Sequence, residues 1–480
     1  MKGKVGFTED KMALLVGSLI FVLAGFNVLG VDLLGWAVKS NTWLSLDKML
    51  SASTGAYKSL PGIASLLITY VAITGILAWA VKLLQGDVGK FIKGFTIVFF
   101  VSYLCFAAGH YAYIAVTPDK LAKAGIPWSL GLTGEAGFIL ALLAGIFVGN
   151  FMPGLSETLK EACRPEMFVK IAIVIMGAEL GVKAADAMGL ASSIIFRGLC
   201  AIVEAYLIYW TVVYYVSRKY FKFSREWAAP LASGISICGV SAAIATGGAI
   251  RARPVVPIMV SSLVVVFTCV EMLILPFVAA WFLHGEPMVA GGWMGLAVKS
   301  DGGAVASGAI ADALIRAKAL SVDGIKYQEG WVVMVTTTVK VFIDVFIGLW
   351  SFVLAWLWCA KIECKEGQRM SFGEVWQRFP RFVLGYILTF LLLLIVCTQS
   401  AEGMGMGKTM VGALGSLRRV FFVLTFFTIG VVSNFKKLME EGIGKLTTVY
   451  VVCLFGFIIW VGLFISWLFF HGMLPPIATA

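Results

Sequence analysis

The feature that most constrains this chain is a succession of long apolar blocks separated by short, mostly basic loops. A stretch of about 20 apolar residues crosses the hydrocarbon core of a bilayer as a helix. Backbone N–H and C=O groups in lipid must be satisfied within the protein, which admits only helices and closed barrels. Barrel strands read as about 10 residues of alternating polarity. The blocks at 61–84, 92–116 and 255–283 are longer and continuous, so they read as membrane helices. Composition agrees: 60% of the residues are hydrophobic and 14% are charged, against about 25% charge in an average soluble domain.

Length and flanking charge predict about thirteen apolar elements, at 12–36, 61–84, 92–116, 128–150, 167–186, 193–216, 228–250, 255–283, 289–315, 329–358, 381–400, 418–436 and 446–471. The first is too long for a signal-peptide core and reads as a membrane helix. The short segment 41–56, beside Lys48 and Lys58, is expected to lie at the interface. The fold class expected is therefore an all-α polytopic membrane protein. From residue 128 onward the roughly ten elements divide into two sets of five, 128–283 and 289–471. An odd count per set starts the second on the opposite side of the membrane, which is the arithmetic of an inverted repeat. The expected organisation is an N-terminal three-helix unit, 1–116, followed by an inverted-repeat transporter core with broken helices, 117–480.

The net charge of +11 does not mark a nucleic-acid binder, because the Lys and Arg residues sit between apolar blocks. Three loops are strongly basic: Arg218, Lys219, Lys222 and Arg225; Lys361, Lys365, Arg369, Arg378 and Arg381; and Lys436, Lys437 and Lys445. The positive-inside rule makes all three cytoplasmic, with the N-terminus inside and the C-terminus outside the plasma membrane. Arg251 and Arg253 disagree, since a seventh element that spans fully places them outside. Re-entrant seventh and ninth elements would return them to the cytoplasmic side without moving the termini. Full but broken spans are the expectation.

Cys105, Cys200, Cys238, Cys269, Cys397 and Cys453 lie in apolar blocks and read as small packing residues. Cys359 and Cys364 have no second Cys pair or His cluster near them, and the chain has three His, so neither a metal nor a cofactor is expected. No Walker loop, His-Glu-x-x-His or Gly-x-Ser-x-Gly pattern occurs, and an enzyme is not expected.

Two stretches carry the candidate chemistry. In 233–250, Gly234, Ser236, Cys238, Gly239, Ser241, Thr246, Gly247 and Gly248 crowd one apolar element. Each glycine costs about 1 kcal/mol against alanine in a helix, so the cluster suggests an unwound segment. A half-helix N-terminus there would offer free N–H groups and a positive dipole end to an anion. Close helix packing through small residues is the structural alternative. In 295–312, Lys299 and Asp301 interrupt an apolar element and are followed by Gly302 and Gly303. Charge at membrane depth faces a cavity or a partner. The substrate-binding set expected is Ser236, Cys238, Gly239, Ser241, Lys299, Ser300, Gly302 and Gly303, with Asp301 as the coupling carboxylate. Among other ionisable residues, Glu179 and Lys183, and Lys340 and Asp344, have pairing intervals on one helix face. Arg197 and Glu204 share a face two turns apart, Glu271 stands alone, Asn434 marks a symmetry mate of the first break, and His110 reads as a packing residue.

The run Gly234-Ile-Ser-Ile-Cys-Gly-Val-Ser-Ala242 resembles the signature of the bacterial sulfate exporter family. Leu142 to Asn150, Ile171 to Gly181 and Phe422 to Asn434 resemble further helices of that family in the same order, so the likeness covers roughly 128–471. Where typical members carry His followed by an acidic residue, this chain has Lys299, Ser300 and Asp301, while Gly295 and Gly308 match. The resemblance implies secondary active export of sulfate or another small oxyanion or sulfonate, on an inverted-repeat fold akin to sodium/proton antiporters and bile-acid symporters. The partners it implies are a small anion, a proton or sodium as coupling ion, the lipid bilayer and a second copy of the chain. A cation/proton antiporter with Asp301 on the ion, a membrane scaffold and an intramembrane enzyme are the alternatives. A scaffold would tolerate loss of Lys299.

Overall fold

The computed structural model describes residues 8–116, 120–130, 134, 136–186, 188–250, 252–253, 255–361, 381–433 and 444–478. They form helices α1 (Glu9–Gly25), α2 (Gly62–Leu83), α3 (Val88–Gly109), α4 (Ala136–Phe151), α5 (Pro165–Asp186), α6 (Met188–Lys219), α7 (Arg225–Ser236), α8 (Gly239–Ala249), α9 (Val255–Phe282), α10 (Pro287–Ala297), α11 (Asp301–Asp323), α12 (Trp331–Trp358), α13 (Arg381–Gln399), α14 (Ala401–Val432) and α15 (Gly444–Phe470). Among the described residues eight helices are long and apolar enough to cross a membrane. The number becomes nine if α4 and the short helix Pro153–Leu159, bent by 114° between them, count as one span. The protein is an all-α polytopic membrane protein. Two antiparallel strands pair here, Val38–Ser40 just before the segment 41–56 expected at the interface and Leu50–Ala52 within it.

Local chemistry sets the helix ends. The Asp87 carboxylate accepts the Lys90 N–H at 3.0 Å and caps α3, and the Ser300 hydroxyl accepts the Gly303 N–H at 3.0 Å and caps α11. Gly324, with φ +68°, closes α11. Helix α14 starts at Ala401, well before the expected 418. Its first turns carry Glu402, Gly403, Gly405, Gly407 and Lys408, which lower the local hydropathy and hid its start.

The chain divides into two compact units, Met1–Ser192 with Arg381–Val432, and Ser193–Pro380 with Ser433–Ala480. In the first, α5 packs on α1, α13 and α14, and α4 packs on α3 and α14. Small residues let the backbones approach: a Cβ on Gly145 would stand 2.1 Å from the Phe427 carbonyl oxygen. His110 Nδ1 donates to the Phe106 carbonyl at 2.8 Å and packs on the Phe106 ring, the structural role expected of it.

The second unit corrects the seventh and ninth elements. The Thr246 hydroxyl of α8 donates to Ser233 Oγ of α7 at 2.7 Å, although the two are 13 residues apart. A continuous helix would separate them by about 20 Å. At the open end, the Arg253 N–H donates to Glu226 Oε1 at 2.7 Å. Thus α7 and α8 form a re-entrant hairpin. The same holds for α10 and α11. The Thr336 hydroxyl of α12 donates to the Gly291 carbonyl of α10 at 2.8 Å, and a Cβ on Gly308 of α11 would lie 2.5 Å from that hydroxyl. At their open end His284 Nε2 lies 3.5 Å from Asp323 Oδ2. Sequence alone could not separate a broken span from a hairpin, because half-helices of this length carry the same residue pattern either way.

Helix α9 has 28 residues, about 42 Å at the standard rise. It starts at the open end of the first hairpin and finishes at the open end of the second. The hairpins therefore enter the unit from opposite ends, and their tips meet inside it. Arg253 now shares an end with Arg225, so its disagreement with the positive-inside pattern disappears.

Candidate functional site

The tip of the first hairpin is Ile237 and Cys238; the tip of the second is Val298, Lys299 and Ser300. They touch at Gly239, which has φ +35° and where a Cβ would stand 2.7 Å from the Lys299 carbonyl oxygen. Only glycine accepts both the left-handed backbone and the contact. Lys340, on α12, ties the tips together: its ammonium donates to the Ile237 carbonyl at 3.0 Å and to the Val298 carbonyl at 3.2 Å.

Around this junction lie four carboxyl groups and two ammonium groups, on Glu204, Glu271, Asp301, Asp344, Lys299 and Lys340, none more than 3% exposed. The Lys299 backbone N–H donates to Glu271 Oε2 at 2.9 Å, and the Tyr450 hydroxyl donates to Glu271 Oε1 at 3.3 Å. The Lys299 ammonium turns back to the Leu296 carbonyl at the end of its own half-helix and sits 4.6 Å from the centre of the Tyr209 ring. Both lysines are therefore bound to backbone and ring rather than to carboxylates. The Cys238 thiol donates to Asp301 Oδ2 at 3.5 Å. Cys238, Asp301 and Asp344 each bring a ligand atom within 4.8 Å of the other two. Oδ1 of Asp301, Oδ1 of Asp344, both oxygens of Glu204 and the Ser236 hydroxyl are buried with no hydrogen-bond partner among the described residues.

Several expected residues meet here, and others have different work. Ser236, Cys238, Gly239, Lys299 and Asp301 surround the tips. Ser300 is the cap of α11. Gly302 and Gly303 lie in its buried first turn, where a Cβ on Gly303 would stand 2.2 Å from Thr268 Cγ2. Ser241 lies in α8, but its side chain is outside the described residues, as are Asn434, Arg251, Lys365, Arg369, Arg378, Lys436 and Lys437. Two expected pairings are replaced. Arg197 donates to the Phe469 carbonyl at 2.7 Å instead of meeting Glu204. Lys340 binds the tip carbonyls, and no ion pair to Asp344 forms among the described residues. The sequence reading missed Tyr209 and Tyr450, and it left Glu271 without a partner. The available signal was that Glu271 sits inside a long apolar helix with no cation one turn away on either side.

A buried polar junction between opposed re-entrant hairpins defines a class: a polytopic membrane protein with ionisable chemistry at the centre of a helical unit. Residues 120–449 match the family described as Conserved hypothetical protein 698, and the chain belongs to that family. A UPF0324 membrane protein of Nitrosomonas europaea is 40% identical over 98% of this chain and 97% of its own length. A second UPF0324 membrane protein, from Nitratidesulfovibrio vulgaris, is 31% identical over 86% of this chain and 66% of its own length. An uncharacterized protein of Archaeoglobus fulgidus is 45% identical over 30% of this chain and 88% of its own length. No solved structure matches the chain.

Proposed function

We propose that this protein is a secondary active transporter of a small oxyanion, with the Asp301–Asp344 pair carrying the coupling protons. The observation that supports this reading most is the meeting of two opposed hairpin tips around more carboxyl than ammonium groups. Transporters built from opposed repeats bind cargo at such discontinuous helices near the bilayer midplane. We read α7–α9 and α10–α12, each a re-entrant hairpin followed by a long helix, as the inverted halves, in a plasma membrane with the N-terminus cytoplasmic. With the seventh and ninth elements re-entrant, the sets 128–283 and 289–471 no longer hold an odd number of spans, so the inversion is carried by this smaller pair.

Charge then links the two ions. With every carboxyl group ionised, the junction carries two negative charges more than its lysines offset, and an anion is repelled. Two protons remove that excess. The N-termini of α8, at Gly239, and α11, at Asp301, then present their positive ends to an anion. Proton and anion travel together, so net flux follows the proton gradient. In a cell with an inward gradient this linkage drives uptake, whereas export needs the gradient reversed.

The test is flux of radiolabelled sulfate into proteoliposomes under an imposed pH gradient, with sulfite and small sulfonates as competitors. Saturable flux that follows the gradient and is lost in Asp344→Asn supports the reading; no flux with any of these anions overturns the cargo. A second reading, cation/proton antiport, draws on the free Oδ1 atoms of Asp301 and Asp344, which suit a cation better than an anion. Sodium- or potassium-dependent movement of protons, read by an internal pH dye, would favour it.

A further inference from the structure

We propose that Cys238, Asp301 and Asp344 form a binding site for one soft divalent cation of the zinc class where the two hairpin tips meet. No motif spacing announces a metal here, because these ligands come from three separate helices. The fold brings them together: Cys238 at the head of α8, Asp301 at the head of α11, and Asp344 on α12.

Four observations carry the inference. The ligand atoms lie within 4.8 Å of one another. The Cys238 Sγ to Asp301 Oδ2 distance is 3.5 Å. A sulfur and an oxygen bound tetrahedrally to zinc, at about 2.3 and about 2.1 Å, stand about 3.6 Å apart. So this pair needs almost no movement to close on a metal. Oδ1 of Asp301 and of Asp344 are deeply buried, with no partner among the described residues. A buried acceptor normally has one. Finally, the junction has two more carboxyl than ammonium groups, an excess that attracts a divalent cation; with the Cys238 thiolate counted, one such ion leaves a single negative charge.

The ligand chemistry selects the ion. A thiolate with two carboxylates and an open fourth position suits zinc or cadmium and disfavours magnesium and calcium, which prefer oxygen alone. On binding, the Cys238 S–H bond breaks, its proton leaves to solvent and a metal–sulfur bond forms, with no change of oxidation state. The Lys340 ammonium is held by the tip carbonyls and stays beside the metal, which limits the affinity. The site shares residues with the transport reading but does not depend on it. If that reading holds, a bound metal takes the place of the protons and blocks flux.

The test is equilibrium titration of cadmium into the full-length protein in detergent, following the near-ultraviolet thiolate-to-metal absorption. One equivalent should bind in the wild type. Cys238→Ser should abolish the absorption, Cys453→Ser should leave it, and Asp344→Asn should weaken binding at least ~10-fold, the lower end of what even an outer-shell change costs. No absorption in the wild type overturns the proposal, as does absorption retained in Cys238→Ser or unchanged affinity in Asp344→Asn. X-ray absorption at the zinc edge of the zinc-loaded wild type gives a check free of any variant. One sulfur with oxygen neighbours is expected, and a shell without sulfur overturns the site. Binding without flux would count against the transport reading and leave this one standing.

Discussion

Two regions of this molecule bury charge among apolar helices, and they handle it in opposite ways. In the first unit, Glu179 on α5 is saturated: Lys183 meets Oε1 at 2.9 Å and Arg418 of α14 meets Oε2 at 3.1 Å. The arrangement clamps one helix to another. In the second unit, Lys299 and Lys340 bond to carbonyl groups, and oxygens of Glu204, Asp301 and Asp344 are left unmatched. A buried polar group without a partner costs free energy, and charge at membrane depth costs more. The lesson is that saturation separates scaffold from chemistry. A saturated buried charge holds helices, whereas an unsaturated one awaits a proton, a cation or a substrate.

The largest effects should fall on opposite readouts in the two regions. Asp301→Asn is expected to abolish gradient-driven flux in proteoliposomes while the melting temperature in detergent stays near that of the wild type, since it removes a charge with no cation bonded to it. Glu179→Gln should do the reverse. It strips the shared partner from Lys183 and Arg418. The Glu179 side chain is 13% exposed, so the loss should stay at or below the about 3–5 kcal/mol that breaking a fully buried ion pair from one side costs. The melting temperature should fall sharply, with residual folded protein still transporting. If the two variants exchange these phenotypes, saturation does not separate scaffold from chemistry in this protein.

Lys340→Met sharpens the comparison, because Lys340 belongs to the unsaturated cluster yet has a structural duty. It leaves the Ile237 and Val298 carbonyls without their shared donor, at about 1–3 kcal/mol for each buried acceptor. Loss of both stability and flux is expected, measured by melting and by transport on the same preparation. Gly239→Ala should cost less, about 1–3 kcal/mol in all, because its positive φ and the Lys299 carbonyl 2.7 Å from the new Cβ force the tips apart. Its flux should fall further than its stability.

How much of this was legible in the sequence follows from which interactions are local. Membrane helices such as α2, α3 and α9 declare themselves through length and composition, and their existence needs no tertiary information. The two tips were visible as glycine- and serine-rich breaks around Cys238 and Lys299. The path of the chain beyond each break was not, because only contacts such as Ser233 to Thr246 distinguish turning back from going on. Lys299 was visible as a charge at membrane depth. The direction of its ammonium was hidden, since the attraction of a half-helix C-terminus for a cation competes with every carboxylate in reach. Glu271 and Tyr450 meet across 179 residues of chain, and nothing near either one predicts the other.

The smallest effect tests the hairpin itself. Ser233 Oγ accepts two hydrogen bonds, from the Thr246 hydroxyl at 2.7 Å and from Trp210 Nε1 at 2.9 Å. Thr246→Val keeps the shape and removes one of them, so about 1 kcal/mol of stability should go, with Trp210 still holding Ser233. So small a loss is also compatible with other local arrangements, and a covalent test is stronger. With Ser233→Cys and Thr246→Cys in one chain, mild oxidation should form a disulfide, seen after proteolysis between the two as fragments that stay joined at full-length mass on a non-reducing gel and separate on reduction. A disulfide requires Cα atoms about 4.4–6.8 Å apart, and a span that ran straight through would hold them about 20 Å apart. Cross-linking therefore requires the chain to turn back at Cys238. Its absence would make α7 and α8 a broken span, separate the tip of the first hairpin from Asp301, and leave the unmatched carboxylates without the common site that sets this unit apart from the saturated clamp at Glu179.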